Sequence, residues 1–336
     1  ANVPLVSGYE SSMINAGRTN NKGVEVSITS HNIHTKDFTW STNLNLTHNK
    51  NKVKELYMTD YMEIVSNWTQ SSEFNKSDYM IRVGESLGQM YGYKLLGIYT
   101  MDDFDYDAVQ QKYIIKPGIL YDATNYPKPG YWKFDDTDGD KEITSADRKV
   151  IGNANPKRYG GRTNTFTYKG FDLSIFLNFS IGNKVYSANK MYYTKLNNQY
   201  RNTMKEALNR YTVINDKGEY IFNDPVQMAA VNKNRNFVSV EGSSNLYFHS
   251  GYVEDGSFLK INNISLGYTL PKQLTQKVKL STVRFYATGY NLHTFTKYSG
   301  YDPEVNTEPN NGLTPGIDWG AYPSAISFVV GANIAF

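Results

Sequence analysis

The end of the chain alternates without a break between large apolar and small side chains, from Ser324 to Phe336. Successive side chains of a strand point to opposite faces, so this segment predicts a strand with one large apolar face and one small, weakly polar face. A strand that ends on an aromatic residue is typical of an outer-membrane β-barrel, and the last strand of a soluble sandwich is the alternative. The large face comprises Ile326, Phe328, Val330, Ala332, Ile334 and Phe336.

The composition combines many aromatic residues with a polar average. Aromatic residues make up 14% of the 336 residues, yet the mean hydropathy is −0.55. A chain can be rich in aromatic residues and still polar on average when one strand face meets lipid and the other meets water. The chain has no Cys, which excludes disulfides and thiolate metal sites, and its net charge of +3 gives no indication of a nucleic-acid partner.

Seven segments alternate with a period of two and are long enough to cross a bilayer as tilted strands. Their connections alternate strictly between short and long, as in transmembrane barrels with short periplasmic turns and long outer loops. We therefore expect the short connections to be periplasmic, and the long ones to be external and structureless. The segments cover 24–29, 38–47, 162–168, 171–181, 263–270, 283–288 and 324–336. The short connections are 34–37, 169–170 and 271–281, and the long ones are 50–160, 183–257 and 294–323.

The stretch Met80–Tyr99 shows further strand-like alternation inside the first long loop. Strand parity allows an even number of crossings here, and we expect none, with hairpins inside the loop instead. Bacterial single-chain barrels have an even number of strands, and an open sheet edge in lipid leaves backbone groups unpaired. Seven strands therefore predict that further N-terminal strands precede them. Ala1, which is not a start residue, agrees with a processed protein or a piece of one.

Short motifs in a fixed order give the chain a family resemblance from residue 15 to residue 336. On these motifs it resembles the SusC/RagA-like TonB-dependent outer-membrane transporters. The early motifs are Asn21-Lys22-Gly23-Val24-Glu25, Lys36-Asp37-Phe38-Thr39-Trp40-Ser41, Asn49-Lys50-Asn51-Lys52-Val53, Tyr91-Gly92-Tyr93 and Gly97-Ile98-Tyr99. The later ones are Asp136-Thr137-Asp138-Gly139-Asp140, Ile151-Gly152-Asn153-Ala154-Asn155-Pro156, Tyr168-Lys169-Gly170-Phe171-Asp172-Leu173-Ser174, Gly289-Tyr290-Asn291-Leu292 and Gly300-Tyr301-Asp302-Pro303-Glu304.

The resemblance implies an all-β transmembrane antiparallel barrel of roughly 22 strands, with an N-terminal plug and a TonB box. Residues 1–336 would supply the C-terminal portion of that barrel, about its last seven strands. The resemblance also implies import of an oligomeric nutrient, a glycan or a peptide, across the outer membrane of a Gram-negative bacterium. TonB would drive the import, and a SusD-like lipoprotein would lid the outer mouth. A passive porin or structural barrel is the alternative, since energy coupling cannot be read from these residues.

Acidic residues occupy positions 1, 3, 5, 7 and 12 of an EF-hand-like loop over 136–147. Calcium takes six to eight oxygen ligands, and carboxylates at this spacing can wrap around one ion. Lys141 stands where a glycine usually makes the sharp turn, and Asp147 is shorter than the usual glutamate. The alternatives are a structural Ca²⁺ site and an acidic surface loop capped by Asp–backbone hydrogen bonds. The candidate ligands are Asp136, Asp138, Asp140, Glu142 and Asp147.

Aromatic and acidic side chains in the long loops are candidates for substrate binding. Sugar rings stack on aromatic faces, while amides and carboxylates bond hydroxyl groups. Loop packing or contact with a lipoprotein lid is the alternative for each candidate. For Tyr301 and Asp302, the rigid turn at Pro303 is a further alternative. The candidates are Tyr131, Trp132, Tyr301, Asp302 and Trp319.

No catalytic residues are predicted. Gly84-Glu85-Ser86-Leu87-Gly88 matches the nucleophile-elbow pattern, which needs a strand before it, a helix after it and a later Asp and His. Gly88 and Gly92 count against a helix, so a surface-attached hydrolase is only weakly indicated. The five histidines show no paired metal spacing, and solvation at strand ends is the expected role for most of them.

Overall fold

The computed structural model describes residues 17–68 and 76–336, so Ala1 lies outside the described residues. The long strands are rich in β-branched and aromatic residues with a period of two, which suits a pleated sheet. The strands in chain order are β1 (Gly17–His34), β2 (Phe38–Leu56), β3 (Tyr61–Ile64), β4 (Tyr79–Arg82), β5 (Gln89–Gly92), β6 (Leu95–Ile98), β7 (Phe104–Asp107), β8 (Lys112–Ile115), β9 (Trp132–Phe134), β10 (Lys149–Asn153), β11 (Arg158–Tyr168), β12 (Phe171–Ile181), β13 (Lys184–Ser187), β14 (Val253–Asp255), β15 (Phe258–Thr269), β16 (Thr282–Thr296), β17 (Ile317–Asp318) and β18 (Ser327–Ala335).

Helices are short and lie in the connections. The α-helices are α1 (Ala188–Thr194), α2 (Pro225–Asn232) and α3 (Lys272–Thr275). Short 3₁₀ helices cover Met101–Asp103, Ser145–Asp147, Lys205–Asn209, Ser250–Tyr252 and Gln276–Val278. Within the described ranges, none of the helices is long and apolar enough to cross a membrane.

Seven strands form one antiparallel sheet in the order β1-β2-β11-β12-β15-β16-β18, which we call the barrel sheet. Each strand pairs with the next one in this order, and all the pairs are antiparallel. The seven predicted segments are therefore confirmed as neighbours in one sheet. Because consecutive strands alternate in direction, the three short connections lie at one end of the sheet and the three long loops at the other.

The turn between β11 and β12 is made by Lys169 and Gly170. Both residues have a positive φ, 44° and 89°. Two-residue hairpin turns of this kind match the twist of the flanking strands, and glycine reaches a positive φ without steric cost. The turn sets Tyr168 opposite Phe171. The register then decides to which face every side chain of the two strands points.

The two faces of the barrel sheet differ in chemistry. One face is apolar and exposed, with Val24 64% and Val330 81% accessible. The other face carries polar side chains that contact one another, and Thr39 Oγ1 lies 2.5 Å from Thr167 Oγ1. A barrel wall between lipid and a water-filled lumen has these two faces. We call them the outward face and the lumenal face.

A polar chain interrupts the outward face. Arg162 lies opposite Leu177 in the β11–β12 register and therefore points outward among apolar neighbours. Asn164, on the same face, accepts hydrogen bonds from Arg162 at 3.3 Å, from Thr42 at 2.9 Å and from Trp40 at 3.3 Å. These hydrogen bonds partly satisfy the polar side chains of Arg162, Asn164 and Thr42, which would otherwise face lipid unpaired.

The long loops are ordered, which corrects the expectation that they lack structure. The loops carry enough large apolar and aromatic side chains to bury cores of their own. Trp68 donates its indole N–H to the Tyr186 hydroxyl at 2.7 Å across 118 residues of sequence. The first loop core contains Trp68, Tyr79, Met90, Tyr186, Ala188, Met191, Phe248, Tyr252 and Ile317. The second contains Ile98, Tyr99, Phe104, Tyr113, Tyr211, Ile221, Met228 and Val238.

Two local predictions have different outcomes. The stretch Met80–Tyr99 adds no strand to the barrel sheet, as expected, because β4 and β5 pair with each other in the separate sheet β10-β5-β4-β3. The last strand begins at Ser327, later than predicted. Ser324 instead donates its N–H and hydroxyl to the Asp302 carboxylate, at 3.1 Å and 2.8 Å. Ser324 is thus bonded to the loop, while the Ala325 carbonyl already accepts a hydrogen bond from Asn291 of β16 at 3.0 Å.

Candidate functional site

Tyr131 and Trp132 both pack against the second loop core. The Trp132 ring packs against His249 at 4.8 Å and Phe237 at 6.1 Å between centroids. Tyr131 is half-buried, and burial, with Glu241 beside it, raises the pKa of its hydroxyl. Both predicted substrate residues therefore contribute to loop packing, with part of each side chain still accessible.

Trp319, Tyr301 and Asp302 occupy three different environments. Trp319 packs against Trp68 at 4.8 Å, beside the first loop core. Tyr301 is 92% exposed, whereas Asp302 is buried. Burial pushes the pKa of Asp302 upward, but hydrogen bonds from Glu304 and Ser324 outweigh it and hold the pKa below its usual value. The five predicted substrate residues are not brought together in one site.

The structure shows a groove on the lumenal face that the sequence did not predict. A cavity of about 490 Å³ lies between β12 and the 303–306 segment, at the loop end of the barrel sheet. A second cavity of about 300 Å³ shares Pro156 and Tyr159 with it. Tyr159 is 42% exposed, so its ring is accessible where the two cavities meet. We call both cavities together the lumenal groove, and its amide side chains are Asn21, Asn49, Asn51, Asn155, Asn178, Asn183 and Asn306.

An ion pair fixes one wall of the lumenal groove. Lys260 Nζ lies 2.7 Å from Glu304 Oε2, and the Lys260 side chain is only 5% exposed. Asn178 donates a long hydrogen bond to Glu304 at 3.4 Å and accepts one from Asn262 at 3.3 Å. Amides both donate and accept hydrogen bonds, and a tyrosine ring offers a flat apolar face. The groove can therefore bind sugar hydroxyls or peptide groups.

The acidic loop brings together three of its five predicted ligands. Carboxylate oxygens of Asp136, Asp138 and Asp147 all lie within 4.8 Å of one another. Asp140 and Glu142 are exposed and do not join this group. A hydrogen bond from Asp140 N–H lowers the pKa of Asp138, but desolvation and the neighbouring carboxylates outweigh it and raise that pKa. A cation would relieve this repulsion between like charges.

The backbone of the acidic loop makes the required turn without glycine at position 141. Lys141 has φ 72°, and its N–H donates to Asp136 Oδ2 at 3.0 Å. Asp147 is buried, and its two oxygens accept from Thr137 N–H at 2.7 Å and Thr144 N–H at 2.8 Å. The Lys141 side chain is exposed and forms no ion pair with the carboxylates among the described residues, and Asp147 holds the two ends of the loop together.

Ser86 is not in a nucleophile elbow. Strand β5, not a helix, follows Gly88 in the chain. The Ser86 hydroxyl accepts a hydrogen bond from Asn153 Nδ2 at 2.6 Å. The weak indication of a hydrolase therefore lacks the geometry on which it depends.

His249 differs from the solvated strand-end histidines that the sequence predicted. It is 1% exposed, stacks on Tyr252 at 4.0 Å, and its Nδ1 accepts from Gly251 N–H at 3.1 Å. Burial, with a contribution from Lys190, lowers the pKa of His249 to about 3. The neutral ring therefore packs between the two loop cores. Its local sequence gives no sign of this, since its partners are mostly distant in the chain.

Curated proteins of known name resemble the chain over almost all of its residues, although no family model matches. "TonB-dependent receptor P3" of Formosa agariphila is 34% identical over 338 residues, which cover 99% of this chain and 30% of that protein. "TonB-dependent receptor SusC" of Bacteroides thetaiotaomicron is 28% identical over 343 residues, which cover 99% of this chain and 28% of that protein. The chain thus spans about three tenths of the length of these relatives.

Solved structures show the same fold. A chain of the RagAB peptide transporter matches all of this chain with a TM-score of 0.70 at 18% identity, over 31% of its own length. The RagAB peptide importer in its open-open state gives a TM-score of 0.69 at 21% identity. The paired strands, the two kinds of connection and these matches define the chain as part of a large antiparallel β-barrel. More specifically, its resemblance to the SusC-like TonB-dependent receptors is confirmed over nearly its whole length.

Proposed function

We propose that this chain is the C-terminal part of the barrel of a SusC-like importer in the outer membrane. The relatives are named TonB-dependent receptors, which supports active import with energy from TonB. The family resemblance implies a plug formed by preceding residues. The apolar outward face and polar lumenal face support a membrane-spanning wall. The observation that carries the proposal is the lumenal groove, which lies at the loop end, where a substrate would enter.

The substrate is an oligomer rich in hydrogen-bonding groups, either a glycan or a peptide. The groove has seven amide side chains and the accessible ring of Tyr159. Such a lining favours a chain with repeated hydroxyl or amide groups over an apolar molecule. The RagAB structures are of a peptide transporter, which supports the peptide alternative. The accessible Tyr159 ring, on which a sugar can stack, supports the glycan.

A surface lipoprotein of the SusD kind is the proposed partner at the loop end. Exposed aromatic side chains on the loops are suited to such a contact, because aromatic residues are enriched at protein interfaces. Tyr301 and Tyr322 are 92% and 93% exposed, and Tyr200 is 90% exposed. A lid resting on these loops would enclose the mouth above the lumenal groove.

Uptake into whole cells tests the proposal. The variants Tyr159→Ala and Asn178→Ala in the complete receptor should reduce uptake of the glycan or peptide oligomers on which the cells grow. Tyr57→Ala, which removes a 60% exposed tyrosine outside the lumenal groove, is the matched control. A proton uncoupler should abolish wild-type uptake. Uptake that survives the uncoupler would favour the passive porin, and unchanged uptake by both groove variants would contradict the groove assignment.

A further inference from the structure

Basic side chains continue the outward face beyond its apolar part, at the loop end of β1, β2 and β11. Lys22 lies directly opposite Lys50, and Val24 lies opposite His48. Residues paired across antiparallel strands point to the same side, and side chains alternate along each strand. The basic side chains therefore share the face of exposed Val24. The set comprises Lys22, His48, Lys50, Lys52 and Arg158, and we call it the basic rim patch.

The basic rim patch has no carboxylate partner among residues 17–68 and 76–336. All five side chains are exposed, and the ion pairs in these ranges do not include them. The neighbouring basic residue Arg18 does have a partner, since its Nη2 atom lies 3.5 Å from Oε2 of Glu55. Like charges directly opposite each other on adjacent strands are destabilising. The pairing of Lys22 with Lys50 is therefore unfavourable unless an anion lies between them.

A cavity lies beside the basic rim patch, where β2 approaches the residue before β11. His48 Nδ1 lies 2.6 Å from the carbonyl oxygen of Lys157. A cavity of about 380 Å³ is lined there by His48, Lys50 and Lys157. Glu85 also lines this cavity, but its carboxylate lies 3.8 Å from Arg82. Two lysines, Lys50 and Lys157, therefore face one carboxylate, Glu85, in the lining of this cavity.

The depth of the patch identifies the kind of anion. Val24 and Leu46 are exposed apolar residues of the outward face, and the basic residues follow them towards the loop end. Just beyond an apolar lipid-facing band lie the headgroups of the membrane. Phosphates accept strong, charge-assisted hydrogen bonds from Lys and Arg. The anion that fits this position is therefore a lipid phosphate of the outer leaflet.

We propose that the basic rim patch binds the phosphate groups of a phosphorylated glycolipid in the outer leaflet. This inference rests on the outer-membrane placement proposed above. The patch spans three strands, and neighbouring strands lie about 4.8 Å apart, so its width of roughly 10 Å accommodates a headgroup with two phosphates. The bound lipid would neutralise the Lys22–Lys50 repulsion and cover the cavity beside His48.

Lipid binding to the complete receptor tests the inference. The receptor is placed in phosphatidylcholine nanodiscs that contain either a bisphosphorylated glycolipid or its dephosphorylated form, and bound lipid is counted by native mass spectrometry. The triple variant Lys22→Gln, Lys50→Gln, Arg158→Gln should bind the phosphorylated lipid roughly 100-fold more weakly. The control Lys272→Gln, Lys277→Gln, Lys279→Gln removes three charges at the opposite end and should bind as the wild type does.

Three results would overturn the inference: equal binding of the two glycolipids by the wild type, an unchanged affinity in the triple variant, or equal losses in both variants. Surface labelling of a cysteine at Asn310 on intact cells reports the membrane placement separately. If the Asn310→Cys receptor is labelled but the wild type binds no phosphorylated glycolipid, the lipid site is excluded and the proposed function stays intact. Unlabelled receptor would remove the proposed function together with the lipid site.

Discussion

Asp172 and Arg284 form a two-point ion pair across the intervening strand β15, on the lumenal face. Arg284 Nε donates to Asp172 Oδ1 at 2.9 Å, and a terminal guanidinium nitrogen donates to Oδ2 at 2.6 Å. Gly267 of β15 lies between the two, paired with Asp172 of β12 on one side and with Tyr286 of β16 on the other. A Cβ atom at Gly267 would lie 2.3 Å from Arg284 and 2.6 Å from Asp172. The missing side chain at Gly267 therefore makes the ion pair possible.

Gly267→Ala should break this ion pair and lower the free energy of unfolding by about 1.5–3 kcal/mol, the usual range for hydrogen bonds to charged groups. Urea unfolding of the receptor in detergent, followed by tryptophan fluorescence, measures the change. In an Arg284→Ala background the same glycine substitution should cost much less, because the pair is already absent. Additive effects of the two substitutions would show that Gly267 does not act through the pair.

Leu177→Arg should impair assembly by about 2–4 kcal/mol if the residue lies near the bilayer midplane. The new guanidinium would also lie opposite Arg162, so two like charges would face each other. Asn178→Arg points into the lumen beside Glu304 and should be tolerated far better. Equal losses of folded receptor in the outer-membrane fraction would show that the two faces are wrongly assigned.

Asp78 should make the first loop core sensitive to pH. Burial raises the pKa of Asp78 to about 7, against the hydrogen bonds from Ser66. Between its usual pKa near 4 and about 7, the folded carboxyl keeps a proton that the unfolded one releases, so stability falls as pH rises through this window. Protease protection of the loops should therefore be greater at about pH 5 than at about pH 8. Asp78→Asn should flatten this dependence, and a variant with the wild-type slope would exclude Asp78 as its source.

The calcium site predicted over 136–147 stays a prediction, and Ca²⁺ titration of the receptor tests it. Added Ca²⁺ should protect this loop from proteolysis, and a chelator should reverse the protection. Asp138→Asn should weaken the effect strongly, because Asp138 belongs to the group of three converging carboxylates. Asp140→Asn is the matched control, since Asp140 stays outside that group. Absence of protection by Ca²⁺, or equal effects of the two variants, would exclude the site.

The barrel sheet could be predicted from the sequence because its information is local. Alternation with a period of two defines each strand and its faces, and the Lys169-Gly170 turn defines one register. The loop cores could not be predicted in this way, because contacts such as Trp68 with Tyr186 join distant segments. An aromatic residue in a loop has the same local sequence whether it packs or binds, so the sequence indicates binding for Trp132 and Trp319 although both pack in the structure.

The lumenal groove was missed for a different reason. The alternating pattern predicts a strand from Arg162, whereas β11 begins four residues earlier, at Arg158. Continuing the same period backward places Tyr159 on the lumenal face with Thr163, which is a signal present in the sequence. The cavity itself depends on the 303–306 segment, which joins β12 only in the folded protein.

If this chain is part of an outer-membrane barrel, as proposed, its long loops lie outside the cell. Because the sequence has no cysteine, single cysteines can be placed at Asn310 and at Gln273, both of which are exposed. An impermeant thiol reagent added to intact cells reaches only external sites. The account predicts labelling at Asn310 and none at Gln273 until the outer membrane is opened. Labelling at Gln273 but not at Asn310 on intact cells would contradict it.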